Sequence, residues 1–275
     1  MIGILKVIRS ITLSILLILT GCATLPEHYV SMDSESQIKL EELFEDIKNN
    51  RVIFIGERHD RMEDHLFQFE IVKRLYENHV DIVIALEMFP SEMQAVLDGW
   101  VEGAYSDNGF KQAYQMAWGM PYEYYETVFD YARKVRIPLV GINGNQVQIE
   151  NVAKNGLKTL PEEFRRAIGV TTCAESPSYE IIIGHFGQQH TPKLPFFCDA
   201  QLLRDTIMAN NIARIMKTGK QNVVVLVGSL HAIKVAIPSI LERSEHVSYK
   251  VLLSKKAAEV LFDKPDERIA DYLWY

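Results

Sequence analysis

The chain has 275 residues, of which 48% are hydrophobic, so it is long enough to bury the core of one large α/β domain with insertions. Its formal net charge is −7, from 29 basic and 36 acidic side chains. A surface of this sign argues against a nucleic-acid partner, because no basic stripe is present to neutralise phosphates.

The N-terminal segment has the pattern of an exported lipoprotein. Lys6 and Arg9 precede an apolar stretch over 11–19, which is shorter than the roughly 20 residues that a membrane-spanning helix needs. The letters Leu-Thr-Gly-Cys that end at Cys22 resemble the bacterial lipobox, in which small residues precede a cysteine that becomes lipid-modified and forms the mature N-terminus. A simple uncleaved anchor is the alternative to a cleaved signal peptide.

These features divide the chain into three parts. We predict a lipoprotein signal peptide over 1–21, a polar tether over 22–34 and a single α/β domain over 35–275. Lipid on Cys22 would anchor the protein to a membrane, and Ala23 is not the aspartate that retains some bacterial lipoproteins at the inner membrane. The expected location is therefore the outer membrane, facing the periplasm or the cell surface.

Four apolar runs each end on a polar residue that can carry chemistry. Val, Ile and Leu runs of this kind are typical of strands buried on both faces of a parallel sheet that helices cover. Ligands of such sheets bind beyond the carboxyl ends of the strands, so we expect the polar endings to converge in one crevice. The runs are Val52–Gly56 before Glu57-Arg58-His59, Ile82–Leu86 before Glu87, Ile137–Ile142 before Asn143, and Val223–Val227 before Gly228-Ser229-Leu230-His231.

Amphipathic segments predict helices between these strands. The first covers about 63–78, and further helices are predicted to begin at Ser91 and to cover 122–136, 199–217 and 232–243. A final strand is predicted near 249–253. The expected buried side of the first of these helices consists of Leu66, Phe69, Val72, Leu75 and Tyr76.

The regular alternation fails from Gly144 to about Pro195, which we interpret as an insertion over the site. Cys173 lies in this stretch and Cys198 follows it, and an exported compartment permits a disulfide between them without requiring one. The predicted fold class is α/β, with a mostly parallel central sheet flanked by helices and a partly helical insertion over the site.

Two carboxylates and two imidazoles stand at the predicted strand ends. Glu57 and His59 are two residues apart, so a strand that continues through them places both side chains on one face. With Glu87 and His231 they form a set that suits a divalent metal ion or a general acid and base pair. One such residue alone is more often a turn residue or a helix cap, but four at equivalent strand ends favour a common site.

Three other polar residues are candidates to orient this set. Gln201 and Asp205 are four residues apart, so they share one face of the predicted helix. Asn143 ends the third apolar run. Groups of this kind hold ligand-contacting side chains in position through hydrogen bonds.

Spaced motifs over most of 50–240 resemble a known family. They are Ile55–Asp60 (IGERHD), Leu86–Phe89 (LEMF) with Gln94, Trp118-Gly119 with Tyr122, Val140–Asn143 (VGIN), Gln201–Asn211 and Val227–His231 (VGSLH). The set resembles the haem-binding uptake/Tiki superfamily and, more closely, its ChaN-like lipoproteins. One departure is Gly-Ser-Leu-His at 228–231, where many ChaN-like chains have Gly-x-Gly-His.

The resemblance implies two different functions. ChaN-like lipoproteins bind haem as a cofacial pair at a homodimer interface and are associated with iron acquisition, which favours a haem-binding envelope lipoprotein in haem or iron uptake. In Tiki-type relatives and erythromycin esterases the positions matching Glu57, His59, Glu87 and His231 are tied to metal-dependent proteolysis and to hydrolysis, so a metal-dependent hydrolase is the alternative. An inactive scaffold is disfavoured, because unused polar groups facing a pocket are costly.

Haem contact needs an aromatic or thioether surface and an axial oxygen or nitrogen ligand. Two segments offer these groups, and the candidates they supply are Trp118, Tyr122, Tyr125, His185 and His190. Core packing is the competing interpretation of the aromatic segment, and surface exposure is that of the two histidines.

Overall fold

The computed structural model describes residues 28–170, 172–173, 184, 194–262 and 265–275. The predicted signal peptide and Cys22 lie outside these residues, as do His185 and His190. No helix within the described ranges is both long enough and apolar enough to cross a membrane.

The described residues form one eight-stranded sheet. Its strands in chain order are β1 Tyr29–Ser31, β2 Ser36–Ile38, β3 Val52–Glu57, β4 Ile82–Pro90, β5 Leu139–Asn143, β6 Asn222–Gly228, β7 Tyr249–Ser254 and β8 Tyr272–Trp274. Their spatial order is β2-β1-β8-β7-β3-β6-β4-β5. The strands from β8 to β5 pair in parallel, whereas β1 runs antiparallel to both of its neighbours.

Helices cover both faces of the sheet. In chain order they are α1 Leu40–Ile47, α2 Met62–Glu77, α3 Gln94–Glu102, α4 Asp107–Ala117, α5 Glu126–Val135, α6 Gln146–Asn155, α7 Glu162–Ile168, α8 Phe197–Thr218, α9 Ser229–Ala232, α10 Ile237–Glu245 and α11 Lys255–Leu261. The α/β fold with a mostly parallel central sheet is thereby confirmed.

Alternate residues of the central strands supply the two cores. In β3, Ile53 and Ile55 pack with the side chains of α1 to α5, whereas Val52 and Phe54 pack on the opposite face against α8, α10 and α11. All four are fully buried. This is the side-chain period of two that a strand imposes, with helices on both sides instead of solvent on one.

The stretch interpreted as an insertion contributes α6 and α7, which pack on α8 through a small apolar cluster of their own. A disulfide joins Cys173 to Cys198 in the first turn of α8, with 5.7 Å between the two Cα atoms. It ties the insertion to the helix that carries Gln201 and Asp205.

Five elements were not predicted from the sequence, namely β1, β2, β8, α4 and α11. Tyr29–Ser31, in the segment assigned to the tether, is a strand of the sheet, and Tyr29 is buried. Helix α4 was not predicted, although Ser106 caps it by accepting a hydrogen bond from the backbone N–H of Gly109 at 3.2 Å. Its buried Phe110 and Tyr114 complete the aromatic core beside α5.

Candidate functional site

A cavity of about 460 Å³ lies at the carboxyl ends of β3, β6 and β4. Strand β6 lies between the other two, and its Gly228 is in register with Glu57 of β3. The polar side chains that line the cavity include Glu57, His59, Glu87, Gln201, Arg204 and His231. The structure therefore brings together all four chemistry-bearing residues that the strand endings pointed to, as expected for open parallel sheets.

Glu57 is buried and contacts three neighbouring side chains. Its Oε1 accepts hydrogen bonds from the Tyr125 hydroxyl at 2.5 Å and from His59 Nδ1 at 2.8 Å. Its Oε2 lies 2.9 Å from His65 Nδ1, an electrostatic contact whose angles fall outside hydrogen-bond geometry. Burial raises the pKa of Glu57, but the contacts with His59 and His65 outweigh this and lower the pKa to about 2, so the carboxylate is charged.

His65 is a site residue that the sequence analysis missed. It lies on α2 and is buried between Tyr124, with ring centroids 5.0 Å apart, and Tyr125, at 4.5 Å. Its Nε2 is 3.2 Å from the carbonyl oxygen of His59, so both ring nitrogens face oxygen atoms.

The buried face of α2 explains why His65 was missed. The predicted face included Phe69 and Tyr76, yet Phe69 is only half-buried and Tyr76 is exposed. The helix instead turns Asp64, His65 and Gln68 inward. Burial of polar groups is favourable here only because the end of β3 supplies hydrogen-bond partners, such as the Ile55 carbonyl for Gln68 at 2.9 Å.

His59 presents one ring nitrogen to the cavity. Its Nδ1 is held by Glu57, its ring packs edge-on against Trp118 at 5.2 Å, and its side chain is 36% exposed. Among the described residues no hydrogen bond engages its Nε2. Burial lowers the pKa of His59, but the hydrogen bond with Glu57 and the nearby charge of Glu87 outweigh it and raise the pKa to about 9.

The second carboxylate, Glu87, has one satisfied and one free oxygen. Its Oε2 accepts from the backbone N–H of Gly228 at 2.6 Å, while Oε1 is buried without a hydrogen bond among the described residues. The pairing of β4 with β5 changes register between Leu86 and Pro90, an irregularity of the kind that re-aims side chains near sites. Burial raises the pKa of Glu87, but the charges of His231 and His59 lower it by more.

His231 links Glu87 to Asp205. Its Nε2 is 3.4 Å from Glu87 Oε1, and its Nδ1 is 2.5 Å from Asp205 Oδ1 on α8. Burial raises the pKa of Asp205, which the His231 contact only partly offsets. The three groups form a buried chain in which a carboxylate orients the imidazole.

The three predicted positioning residues occupy different places. Asn143 Nδ2 donates to the backbone carbonyl of Glu87 at 2.9 Å, so it fixes the strand from which that carboxylate projects. Asp205 holds the imidazole of His231 as described, and Gln201, one helical turn before it, lines the cavity. Their roles in ligand binding stay a prediction.

The aromatic haem candidates lie around the cavity rather than on its wall. Tyr125 is buried and donates to Glu57, and Trp118 lies against the edge of His59. Tyr122 packs in the aromatic core, with ring centroids 5.3 Å from Tyr114 and 5.8 Å from Phe129. His185 and His190 lie outside the described residues.

The described residues provide no ligand set for the predicted divalent metal ion. In the described part of the chain, no group of three or more His, Cys, Asp or Glu side chains is arranged to hold a metal ion. Glu57 Oε1 already accepts two hydrogen bonds, Glu57 Oε2 contacts His65 Nδ1, and Glu87 Oε2 accepts from a backbone N–H.

A single nitrogen donor beside an apolar wall suits a haem better. His59 offers Nε2 to the cavity and directs its other nitrogen to a buried carboxylate, as metal-bound histidines usually do. The wall includes the apolar side chains Met120, Phe197, Leu230, Val260 and Leu261. The volume lies within the range of small-molecule and cofactor sites.

Comparison with known proteins identifies the family and the fold of this chain. A family model described as "Haem-binding uptake, Tiki superfamily, ChaN" matches residues 43–241. The solved structure "Cofacial heme binding to ChaN of Campylobacter jejuni" superposes with a TM-score of 0.67 at 18% identity, covering 90% of this chain and 96% of that one. An erythromycin esterase, EreC, in its open conformation superposes with a TM-score of 0.51 at 14% identity, covering 82% and 76%.

A plant protein matches in sequence. RETICULATA-RELATED 5, a chloroplastic protein of Arabidopsis thaliana, is 23% identical over 261 residues, covering 85% of this chain. The chain spans only 35% of that protein's length. At these identities the likeness to the solved structures establishes the fold, and the family model, which covers more than half of the chain, establishes the family.

Proposed function

The chain belongs to the ChaN family of the haem-binding uptake/Tiki superfamily, and on this premise we propose that it binds haem in the cavity at the carboxyl ends of β3, β6 and β4. The observation that carries the proposal is His59, whose Nδ1 is held by the buried carboxylate of Glu57 while Nε2 faces the cavity. A carboxylate on the far nitrogen fixes the orientation of the ring and increases its basicity as an iron ligand. On binding iron, Nε2 would release to solvent the proton that the raised pKa of His59 keeps there near neutral pH.

The lining of the cavity supports the same ligand. Apolar side chains from α8, α9 and α11 form one wall, with Met120 beside them, so a flat hydrophobic macrocycle would remove apolar surface from water. Bound haem supplies an iron that takes a nitrogen ligand and a macrocycle that packs on apolar side chains. The protein would hold the His59 ring in place and exclude water from one face.

Titration of the full chain, purified in detergent, with hemin tests the proposal. We expect a Soret shift at micromolar hemin that is lost or strongly weakened in His59→Ala. The matched control is His28→Ala, an exposed histidine at the edge of the fold, which should bind as the parent does. The absence of a Soret shift in the folded protein would contradict the proposal. An unchanged shift in His59→Ala would exclude His59 as the iron ligand.

We further propose that the protein is an outer-membrane lipoprotein, anchored through Cys22, that acts in haem or iron uptake as a homodimer. The lipobox-like sequence supports the anchor, and the cofacial haem binding described for the matched ChaN of Campylobacter jejuni motivates the dimer. Expression of the parent and Cys22→Ala in bacteria fed a labelled fatty acid tests the anchor. The variant should lose both the label and its fractionation with the outer membrane. Hemin-dependent dimerisation is a separate test, which light scattering measures.

Hydrolysis is a second candidate, favoured by the chain Asp205, His231 and Glu87. Asp205 orients His231, whose Nε2 could take a proton from water as the water oxygen attacks a carbonyl carbon; the leaving group then takes that proton. We expect turnover of p-nitrophenyl acetate or of casein to fall at least about 100-fold in His231→Gln. Equal rates in the parent and the variant would exclude this candidate.

A further inference from the structure

Arg204 is a cavity-lining cation whose hydrogen-bonding capacity is largely unused by the described residues. It lies on α8, one residue before Asp205. Its Nη2 donates to Gln146 Oε1 at a long 3.3 Å, and its Nε is buried with no hydrogen-bond partner in the described part of the chain. A buried donor left unpaired costs free energy, so a partner that completes it would be bound favourably.

The neighbouring carboxylates do not satisfy this guanidinium. Glu87 and Asp205 are near enough for Arg204 to lower their pKa values, yet their oxygens contact Gly228 and His231. No carboxylate of the described residues forms an ion pair with Arg204, whereas Arg58, the other cavity arginine, pairs with Asp60 at 3.4 Å and is 41% exposed. Arg204 therefore has both a charge and a planar donor edge to offer a ligand.

The rest of the lining restricts what that ligand can be. The guanidinium fork matches a carboxylate in two parallel hydrogen bonds. Apolar residues such as Phe197, Leu230 and Leu261 line the same cavity. A molecule that fits both features is a large apolar body with a carboxylate at its edge.

We propose that Arg204 binds a carboxylate of the ligand, so that the cavity selects tetrapyrroles with free propionates over esterified ones. The inference rests on the proposed haem-binding function and names the residue that sets its specificity. It concerns the acidic edge of the macrocycle and is independent of which residue contacts the iron.

Four pigments separate the two questions: hemin, hemin dimethyl ester, protoporphyrin IX and its dimethyl ester. The full chain is titrated by absorbance for the iron pigments and by pigment fluorescence for the iron-free ones. We expect each ester to bind at least about 10-fold more weakly than its free acid, the scale of a charge-assisted hydrogen bond. In Arg204→Gln the affinity for the free acids should fall by a similar factor. The ratio of the affinity for each acid to that for its ester should therefore approach one.

Matched variants keep the test independent of folding. Arg214→Gln makes the same change three turns later on α8, where Arg214 donates to Asn211 and lies away from this cavity, so it should bind all four pigments as the parent does. Arg204→Lys keeps the charge but loses the fork, so an intermediate ratio is expected. Thermal unfolding of each variant shows that the fold is retained.

The outcomes distinguish this inference from the function it rests on. Equal binding of acids and esters by the parent, or an unchanged ratio in Arg204→Gln, would overturn the role of Arg204 while leaving haem binding intact. Binding of protoporphyrin IX that depends on Arg204, without hemin binding, would support the carboxylate site and overturn iron ligation. Failure of all four pigments to bind would overturn both.

Discussion

The two carboxylates of the cavity differ in how their hydrogen bonds are made. At the end of β3, Glu57 Oε1 accepts from the side chains of His59 and Tyr125, and Oε2 contacts His65 Nδ1 at 2.9 Å without hydrogen-bond geometry. At the end of β4, Glu87 Oε2 accepts from the backbone N–H of Gly228, and Oε1 lies 3.4 Å from His231 Nε2 with no hydrogen bond in the described part of the chain. The first carboxylate fixes the position of an imidazole, whereas the second is itself fixed by the backbone of β6.

This contrast teaches that burial alone does not mark a functional carboxylate. Both are almost completely buried, and both are held charged by neighbouring histidines. They differ in which described groups donate to them: side chains donate to Glu57, whereas a backbone N–H donates to Glu87. A carboxylate that accepts from side chains orients those side chains, which a carboxylate held by the backbone does not.

The largest expected effect separates the two carboxylates directly. Glu57→Gln replaces a carboxylate that accepts from His59 and Tyr125 by an amide that itself donates, so His59 loses its counter-charge. We expect the free energy of unfolding in urea to fall by about 3 kcal/mol. Glu87→Gln should cost about 1 kcal/mol, because an amide oxygen still accepts from the Gly228 N–H. Equal losses in the two variants would contradict the contrast.

A smaller effect is expected at Gly228, which lies between His59 and Glu87. A Cβ there would lie 2.8 Å from His59 Cε1 and 2.9 Å from Nε2, so Gly228→Ala must displace the imidazole. We expect a loss of stability of about 2 kcal/mol, typical of an added methyl group in a packed site, together with weaker hemin binding. Gly119→Ala is the control, since nothing lies within 4 Å of its added Cβ. Unchanged hemin binding in folded Gly228→Ala would show that His59 does not set the affinity.

A loss of about 1 kcal/mol is expected from Asn143→Ala, which removes the hydrogen bond to the Glu87 carbonyl. This change acts on the Glu87 side alone. Chemical shifts of His231 should therefore move in an NMR spectrum while those of His65 stay in place. Shifts at both histidines would mean that the surroundings of Glu57 and Glu87 are coupled.

The mildest expected effect is a dependence of stability on pH. The pKa of His59 is raised from 6.5 to about 9, so its contribution is complete below about pH 6.5 and is lost as the pH rises through 9. The pKa of Glu57 is lowered from 4.5 to about 2, so its contribution is present above about pH 4.5 and is lost as the pH falls through 2. Urea unfolding should show stability declining gradually from pH 6.5 to 9.5, and His59→Gln should flatten this decline. A parent profile that is flat over the same range would exclude the strong His59–Glu57 pairing.

The amino-acid sequence by itself determined the strands and the edge of the sheet that carries the site. The runs around Phe54, Ile84 and Val225 are apolar without interruption, a pattern that few structures other than a sheet buried on both faces accommodate. Because polar residues follow each run, Glu57, Glu87 and His231 could be placed near one another before any coordinates were known. Local pattern suffices for this, since parallel strands end at a common edge.

Only the tertiary structure decided which groups meet within that edge. His65 and Arg204 lie on helices, and Tyr125 lies directly before one, so their positions depend on how those helices pack against the sheet. Helix α2 is rotated from its expected face so that His65 reaches Glu57. The partner of each polar atom is likewise a matter of distances between distant segments, such as the 2.5 Å between His231 and Asp205. Periodicity reports which side of an element is apolar, but the orientation of polar side chains follows from the hydrogen-bond partners that the assembled fold supplies.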